Sequence, residues 1–520
     1  MLKNKTKIAI LILITFTANY LFSQVVYFDT VYHFTPWNYS DFATNVVEVD
    51  DGYIIHGQAL DENNISWFRT GISMTDTLGN QVWMKSYGDT ISEWIIGRSG
   101  SLIKSSSGGF YSVGTKRTPT DDWVFDQGLI MRYDDNLDTL WTKLHCEKTE
   151  PVDTAYMLQQ VKQLDNKDLV IVGLAYPYGK TSRIYLLKTD SLGNKIWDKW
   201  LGFGSTNYFY SYSVIQTSDH GYAIGGVVHY WPDNQEIDPI VIKTDSLGNQ
   251  EWIKYLGGPY KDHQAFVANS NNNTIIVGMN IADEPVGTTE YNGRITLAEL
   301  DIEGNIIWEK KYGSKHYLSR LYCVITLENN SIIATGYHYT DFPHTEGWIL
   351  KTSSEGDSIW MRNYDYADLS IYSDNWLFDI KATFDGGLIA CGDVKPHDPD
   401  PGNQDAWVIK LDSNGCDTPN CDPTVIMPIQ IANRGSIEVF PNPADKQFVV
   451  RCSPDNYREF VERNCVIQVF DLFGRKVKEI KVPKGKEQII VNVENWKRGL
   501  YLLRVSSGDG YAESVKVVIE

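Results

Sequence analysis

His338, Asp341 and His344 fall in one short stretch, "HYTDFPHTEG", which sets two imidazoles and a carboxylate close together in the chain. Imidazole nitrogens and carboxylate oxygens are the usual ligands of divalent cations. The stretch could therefore hold a metal or a polar ligand, the plainer reading being solvated loop side chains. Asp398, Asp400 and Asp405, in "DVKPHDPDPGNQD", could offer oxygens to Ca²⁺, although their spacing departs from a recognised calcium loop. Ca²⁺ is the one cofactor considered; otherwise none is expected. The chain has no G-x-S-x-G elbow, no H-E-x-x-H helix, no phosphate-cradling Gly loop and no closely spaced Cys/His pairs of a zinc site. No catalytic residue can be named, while acids and Tyr are plentiful enough to leave a glycosidase-type carboxylate pair open.

The elements that would position such residues are legible from a repeated sentence. "KTDSLGNKIW" ends at Trp197 and "KTDSLGNQEW" at Trp252, with looser copies ending at Trp83, Trp141, Trp308 and Trp360. A seventh, "KLDSNGCDTP", starts at Lys410 and has no Trp. In each sentence the Asp (Asp76, Asp190, Asp245, Asp301) can accept hydrogen bonds from the backbone N–H groups ahead of it. The Gly (Gly79, Gly193, Gly248, Gly304) supplies the positive φ of a tight hairpin. Flanking runs such as "RIYLLK" and "KIWDKW" suit strands, so the sentence reads as a β-hairpin whose Trp packs between sheets. A second signal, a turn followed by a strand such as "HGYAIGG", keeps step with the first and also occurs seven times. Together they predict four short antiparallel strands per period, the pattern of a β-propeller blade. Seven such periods predict an all-β, seven-bladed propeller. The missing last strand is expected from "VVYFDTVYHF", Val25–Phe34, closing the ring and covering two sheet edges.

Antiparallel strands alternate their connections between two ends. The "SDHG" and "DSLGN" turns therefore share one face, and the long connections share the other: His229–Asp238, Asn280–Gly293, His338–Gly347 and Asp393–Asp405. Variable loops on a rigid scaffold are where binding usually resides.

The remaining features bound the chain's setting. A formal charge of −19 argues against a nucleic-acid partner. Residues 1–23 read as a secretory signal peptide, with Lys residues, then the apolar run Ile8–Phe16, then small and polar residues. No other run is long and apolar enough for a transmembrane helix, so none is expected in the mature chain. An exported chain permits disulfides, for which Cys416–Cys421 and Cys452–Cys465 are candidates, while Cys323 and Cys391 read as buried thiols. Residues 24–436 hold 30 Lys and Arg against 54 Asp and Glu, whereas the tail from Ile437 holds 14 against 12. Such a step marks a domain boundary. The expected organisation is a propeller at 24–422, a linker at 423–435 and a small Ig-like β-sandwich at 436–520.

Three resemblances attach to these motifs. "TDSLGNKIW" is similar to the Asp-box of sialidase-like propellers, where it is a structural turn. It also looks like the Trp-containing repeats of quinoprotein dehydrogenases, which usually have eight blades and often an adjacent Cys–Cys pair that this chain lacks. The tail closely resembles the type A C-terminal sorting domain of type IX secretion in Bacteroidetes-like bacteria. The matching residues are Pro441, Asn442 and Pro443 after a strand, Gly474 in the "DLFGR" hairpin, and Gly499 opening the penultimate strand. That resemblance implies passage through the periplasm to the outer-membrane surface or medium, with the type IX machinery as partner and the tail removed. The leading expectation is a binding or adhesion propeller using its long-loop face, more a binder than an enzyme. The alternative is an extracellular glycan-directed hydrolase drawing on loop carboxylates.

Overall fold

The structure, a computed structural model, describes residues 26–34, 40–61, 64–119, 124–145, 148–149, 152–177, 179–202, 207–230, 237–286, 290–314, 318–339, 344–366, 373–396, 404–418, 421, 437–440, 444–452, 465–471, 475–482, 486, 488–507 and 512–519. The signal peptide, the linker 423–435, Asp341, Asp398, Asp400, Pro441–Pro443 and Gly474 lie outside these residues. Among the described residues the regular elements are all strands, and no helix is long and apolar enough to cross a membrane. The strands form two compact units, one up to Leu411 and one from Ile437.

Among the described residues the first unit holds seven antiparallel sheets of four or five strands. The fourth is representative: Tyr208–Gln216, Tyr222–His229, Ile237–Thr244 and Gln250–Tyr255 pair in chain order. Each element follows from its residues. Alternating apolar and small side chains make the second and third strands buried on both faces, as in "YAIGGVVH" and "IDPIVIKT". The outer strand "QEWIKY" is only half-buried. The second sheet departs from the pattern, because its first strand is split into Glu93–Ile96 and Leu102–Lys104. The seventh sheet takes its fourth strand from the other end of the chain: Phe28–Tyr32 pairs along Asp405–Leu411. Trp407 Nε1 donates to Asp29 in that strand (2.6 Å), and Tyr32 Oη donates to the Gly79 carbonyl in the first sheet (2.6 Å).

Apolar cores lie between consecutive sheets, including one that joins the seventh to the first through Tyr32, Phe34, Val46, Ile55, Ile389 and Val408. A polar staple runs beside them. Asn45 accepts from the Ser101 N–H (2.9 Å), Gln160 from Val214 (2.7 Å), Ser213 from Val267 (2.8 Å) and Asp379 from Val46 (3.1 Å). Each bond joins one sheet's first strand to the next sheet, and the last joins the seventh sheet back to the first. Buried polar groups bonded this way fix how neighbouring sheets sit, because any slip would orphan them in an apolar setting.

The outer Trp residues pack in a specific way. A Cβ on Gly193 would lie 2.7 Å from Trp141, and one on Gly248 would lie 2.7 Å from Trp197. Gly356 faces Trp308 (2.6 Å) and Gly415 faces Trp360 (2.8 Å) in the same way, and Gly304 faces Trp252 less closely (3.2 Å). Each Trp thus rests on the hairpin Gly of the following sheet. In the first sheet that place, over Gly79, is taken by Phe28. The second sheet differs, having Leu137 at a φ of 61° where the others have Gly, opposite Trp83.

The second unit contains a three-stranded sheet, Ile437–Phe440, Gln447–Cys452 and Gln488–Asn492, and a four-stranded sheet built on Cys465–Asp471 and Gly499–Ser507. Both contribute to one core around Phe448, Val450, Ile467, Val469, Leu503 and Val517.

Candidate functional site

Five of the seven sheets line one pocket of about 170 Å³. Its walls are Phe42 and Thr44, Arg98 and Ser99, Phe266, Tyr322, and from the seventh sheet Trp376, Phe378, Asp393 and Gln404. The local backbone explains why so many rings meet here. The first strand of five sheets carries a β-bulge, with register breaks at Ala43/Asn45, Leu158/Gln160, Ser211/Ser213, Leu321/Cys323 and Leu377/Asp379. The extra residues are Thr44, Gln159, Tyr212, Tyr322 and Phe378. A bulge re-aims the residue it inserts. Three of these five are aromatic, and Tyr322 and Phe378 reach the pocket.

The rings form a continuous cluster. Tyr337 stacks on Trp376 with centroids 4.7 Å apart and planes within 14°. Tyr322 stacks on Tyr337 at 5.8 Å and meets Phe378 edge-on at 4.9 Å. The Arg98 guanidinium lies over Tyr212, 5.7 Å from its centroid. Asp393 is fully buried, with one carboxylate oxygen unpartnered. Burial, reinforced by the charge of Asp374, pushes its carboxyl well above the usual carboxylate range. Flat aromatic faces accept the C–H faces of a ring-shaped ligand, while Arg98 and Asp393 offer a donor and an acid. The volume suits one such ring, being well below the roughly 300 Å³ at which drug-sized sites begin.

Behind the pocket the same strands carry a polar group. Ser99 Oγ bonds Asp379 at 2.5 Å, Lys381 pairs with Asp379, and Cys323 Sγ lies 3.3 Å from Ser99. A wider groove of about 570 Å³ opens on the turn side between the first two sheets, beside Trp83 and Leu137. Its walls include the exposed chains of Asp50, Asp51 and Lys104, and the half-buried Lys85 is already taken by Asp138 (2.6 Å), so the aromatic pocket is the better candidate.

The residues singled out by sequence are distributed as follows. His338 and His344 are engaged separately, His338 with Glu346 (3.5 Å) and His344 with Asp365 (3.1 Å). Asp405 instead lies near His33 and Asp41. The turn aspartates bond the backbone ahead: Asp76 accepts from Leu78 and Asn80, Asp190 from Leu192 and Asn194, Asp245 from Leu247 and Asn249, and Asp301 from Asn305. Gly79, Gly193, Gly248 and Gly304 have φ between 74° and 86°. Of the packing Trp residues, Trp360 is the most buried, and the others are half-buried between sheets. Cys416 and Cys421 are disulfide-bonded, and Cys323 and Cys391 are buried free thiols. Cys452 and Cys465 lie in strands, at positions whose side chains fall outside those described. Gly499 opens its strand, as the tail motif requires.

The pocket aromatics were missed by sequence reasoning, which looked to the long loops. A signal was present: an aromatic recurs just before the first-strand core in "YSVIQ", "YCVIT" and "FDIKA".

No curated protein matches the chain. Solved structures that the chain matches include a protein of unknown function from Dyadobacter fermentans (10% identity, 75% of this chain and 99% of that one, TM-score 0.41). Another is a PL25 ulvan lyase (8% identity, 75% and 96%, TM-score 0.46). A third is the GH93 α-L-arabinofuranosidase of Fusarium graminearum (12% identity, 62% and 97%, TM-score 0.40). Residues 438–520 match the family model of the secretion system C-terminal sorting domain, which supports a type IX sorting domain in the second unit and export of the chain to the cell surface or beyond it.

Proposed function

We propose that the chain is a type IX cargo whose first unit, residues 24–422, is a seven-bladed β-propeller that binds a ligand at the cell surface or outside it. Each sheet is a blade, and Phe28–Tyr32 is the strand that closes the ring. The second unit, residues 436–520, acts as an Ig-like export module read by the secretion machinery after passage through the periplasm. The ligand is a glycan, held as a stacked sugar ring in the aromatic pocket. One observation carries this reading: the Tyr322–Tyr337–Trp376 stack borders a pocket of single-ring size that also holds Arg98 and Asp393.

The test is a glycan array probed with the secreted protein and with its Trp376→Ala and Tyr322→Leu variants. Each variant is expected to lose at least about tenfold in affinity, the equivalent of one ~1.4 kcal/mol contact. Undiminished binding by both variants would refute the assignment. A second reading, a glycan hydrolase, rests on Asp393, whose raised pKa suits a general acid. It requires product release that Asp393→Asn abolishes while binding survives.

A further inference from the structure

We infer that His33, Asp41 and Asp405 form a site for one divalent transition-metal ion, with Zn²⁺ as the best fit. The three residues come from separate parts of the chain: His33 follows the N-terminal strand, Asp41 begins the first sheet's first strand, and Asp405 begins the seventh sheet's third strand. Their ligand atoms all lie within 4.8 Å of one another.

The distances favour an ion over direct bonds. His33 Nδ1 is 3.4 Å from an Asp405 oxygen and 3.6 Å from an Asp41 oxygen. His33 Nδ1, Asp41 Oδ1 and Asp405 Oδ1 are all buried, and none has a hydrogen-bond partner. The Asp41 side chain is wholly inaccessible, yet only its other oxygen is engaged, by the Phe34 N–H at 3.3 Å. An unpartnered buried carboxylate oxygen is costly. A tetrahedral Zn²⁺ with ligands at about 2.0–2.1 Å separates its donor atoms by roughly 3.3 Å. The two measured separations, from His33 Nδ1 to Asp405 Oδ1 and to Asp41 Oδ2, are close to that spacing, so an ion would engage the imidazole and both carboxylates with little movement.

Ligand chemistry and framing point the same way. One imidazole with two carboxylates suits Zn²⁺, whereas Ca²⁺ prefers oxygen ligands alone and more of them. The His33 side chain is 40% exposed, so the site lies close to the protein surface. The backbone around the site is held without any ion: the Gln81 side chain donates to the His33 carbonyl (2.8 Å), and the Asp41 N–H donates to the Gln404 carbonyl (2.6 Å). A bound ion would tie the N-terminal strand to both the first and the seventh sheets.

The mature secreted protein, stripped with chelator, should take up one Zn²⁺ per chain by calorimetric titration and elemental analysis. Its melting temperature should rise by at least about 2 °C at a hundredfold excess over Kd. His33→Gln and Asp405→Asn should each weaken binding by at least about tenfold, since even outer partners of metal ligands cost that much. Asp405→Asn is isosteric and partly exposed, so it serves if His33→Gln folds poorly. Three outcomes overturn the site: no Zn²⁺ uptake by the wild type, equal uptake by both variants, or tighter binding of Ca²⁺ than of Zn²⁺.

Discussion

Substituting Gly193 by Ala tests the contact between a hairpin and the Trp of the preceding sheet. Two costs add at this position. With a φ of 74°, an L-residue pays about 1 kcal/mol for left-handed backbone. The new Cβ would also stand 2.7 Å from Trp141 Cη2 and 3.0 Å from its Cζ3, inside van der Waals contact. Overpacking of this kind costs roughly 1–3 kcal/mol. Gly386 is a matched control, because its turn has the same hydrogen-bond pattern and a φ of 81°, but nothing lies within 4 Å of where its Cβ would stand. Gly386→Ala should therefore cost only the backbone part, about 1 kcal/mol. Calorimetric melting is the assay; at the entropy of unfolding of so large a unit, each kcal/mol moves Tm by about 1 °C. Gly193→Ala should melt a further ~1–3 °C below Gly386→Ala. Trp141→Leu in the Gly193→Ala background should cost less than the sum of the single changes, as coupled neighbours do. Equal melting of the two Gly variants, or strict additivity with Trp141→Leu, would refute the packing argument.

Further expectations concern the chain's ends and one titrating pair. Phe34 is buried where a Cβ on Gly57 or Gly71 would fall at 2.3 or 2.5 Å, so Phe34→Ala should destabilise the first unit by about 3–5 kcal/mol in urea unfolding. Removing residues 24–34 uncovers the edge of Asp405–Leu411 and should produce aggregation visible by light scattering; a monomer with unchanged Tm would count against ring closure. Deleting residues 436–520 should leave a folded first unit inside the cell envelope, and mass spectrometry of the exported wild type should find the tail removed. Recovery of chain through Glu520 outside the cell would contradict that. The Asp365 carboxylate raises the pKa of His344 above its ordinary value, so their pairing adds stability below about pH 6.5 and loses it as pH rises through the folded pKa. The Tm gap between wild type and His344→Gln should accordingly be wider at about pH 5.5 than at about pH 8.5; equal gaps would show that the pair is not linked to folding.

The sequence alone determined what is local. Alternating apolar residues and Gly-containing turns specify short antiparallel strands, four to a period, and the all-β sheets follow from that pattern. The Asp in "KTDSLGN" reaches N–H groups only two to four residues ahead, so its role can be read without any tertiary structure. Burial of Cys323 and Cys391 follows from their apolar strands, and the charge step before Ile437 falls between the described strands of the two units. Contacts between residues distant along the chain were decided only by tertiary structure. The Lys that opens the same sentence carries a charge, yet Lys243 and Lys410 are fully buried and, within their own sheets, pair with Asp219 and Asp385 of the adjoining hairpin. Gly193 reads as a turn residue, and nothing nearby in the chain announces Trp141 above it. A bulge adds one residue without altering the strand's composition, so the inward turn of Tyr322 and Phe378 leaves only a faint trace in sequence. His33, Asp41 and Asp405 meet only because the N-terminal strand pairs with the seventh sheet while that sheet packs on the first. Periodicity encodes which face of a strand is buried; which distant side chains then share a site depends on how the sheets pack, and that lies in no single stretch of the chain.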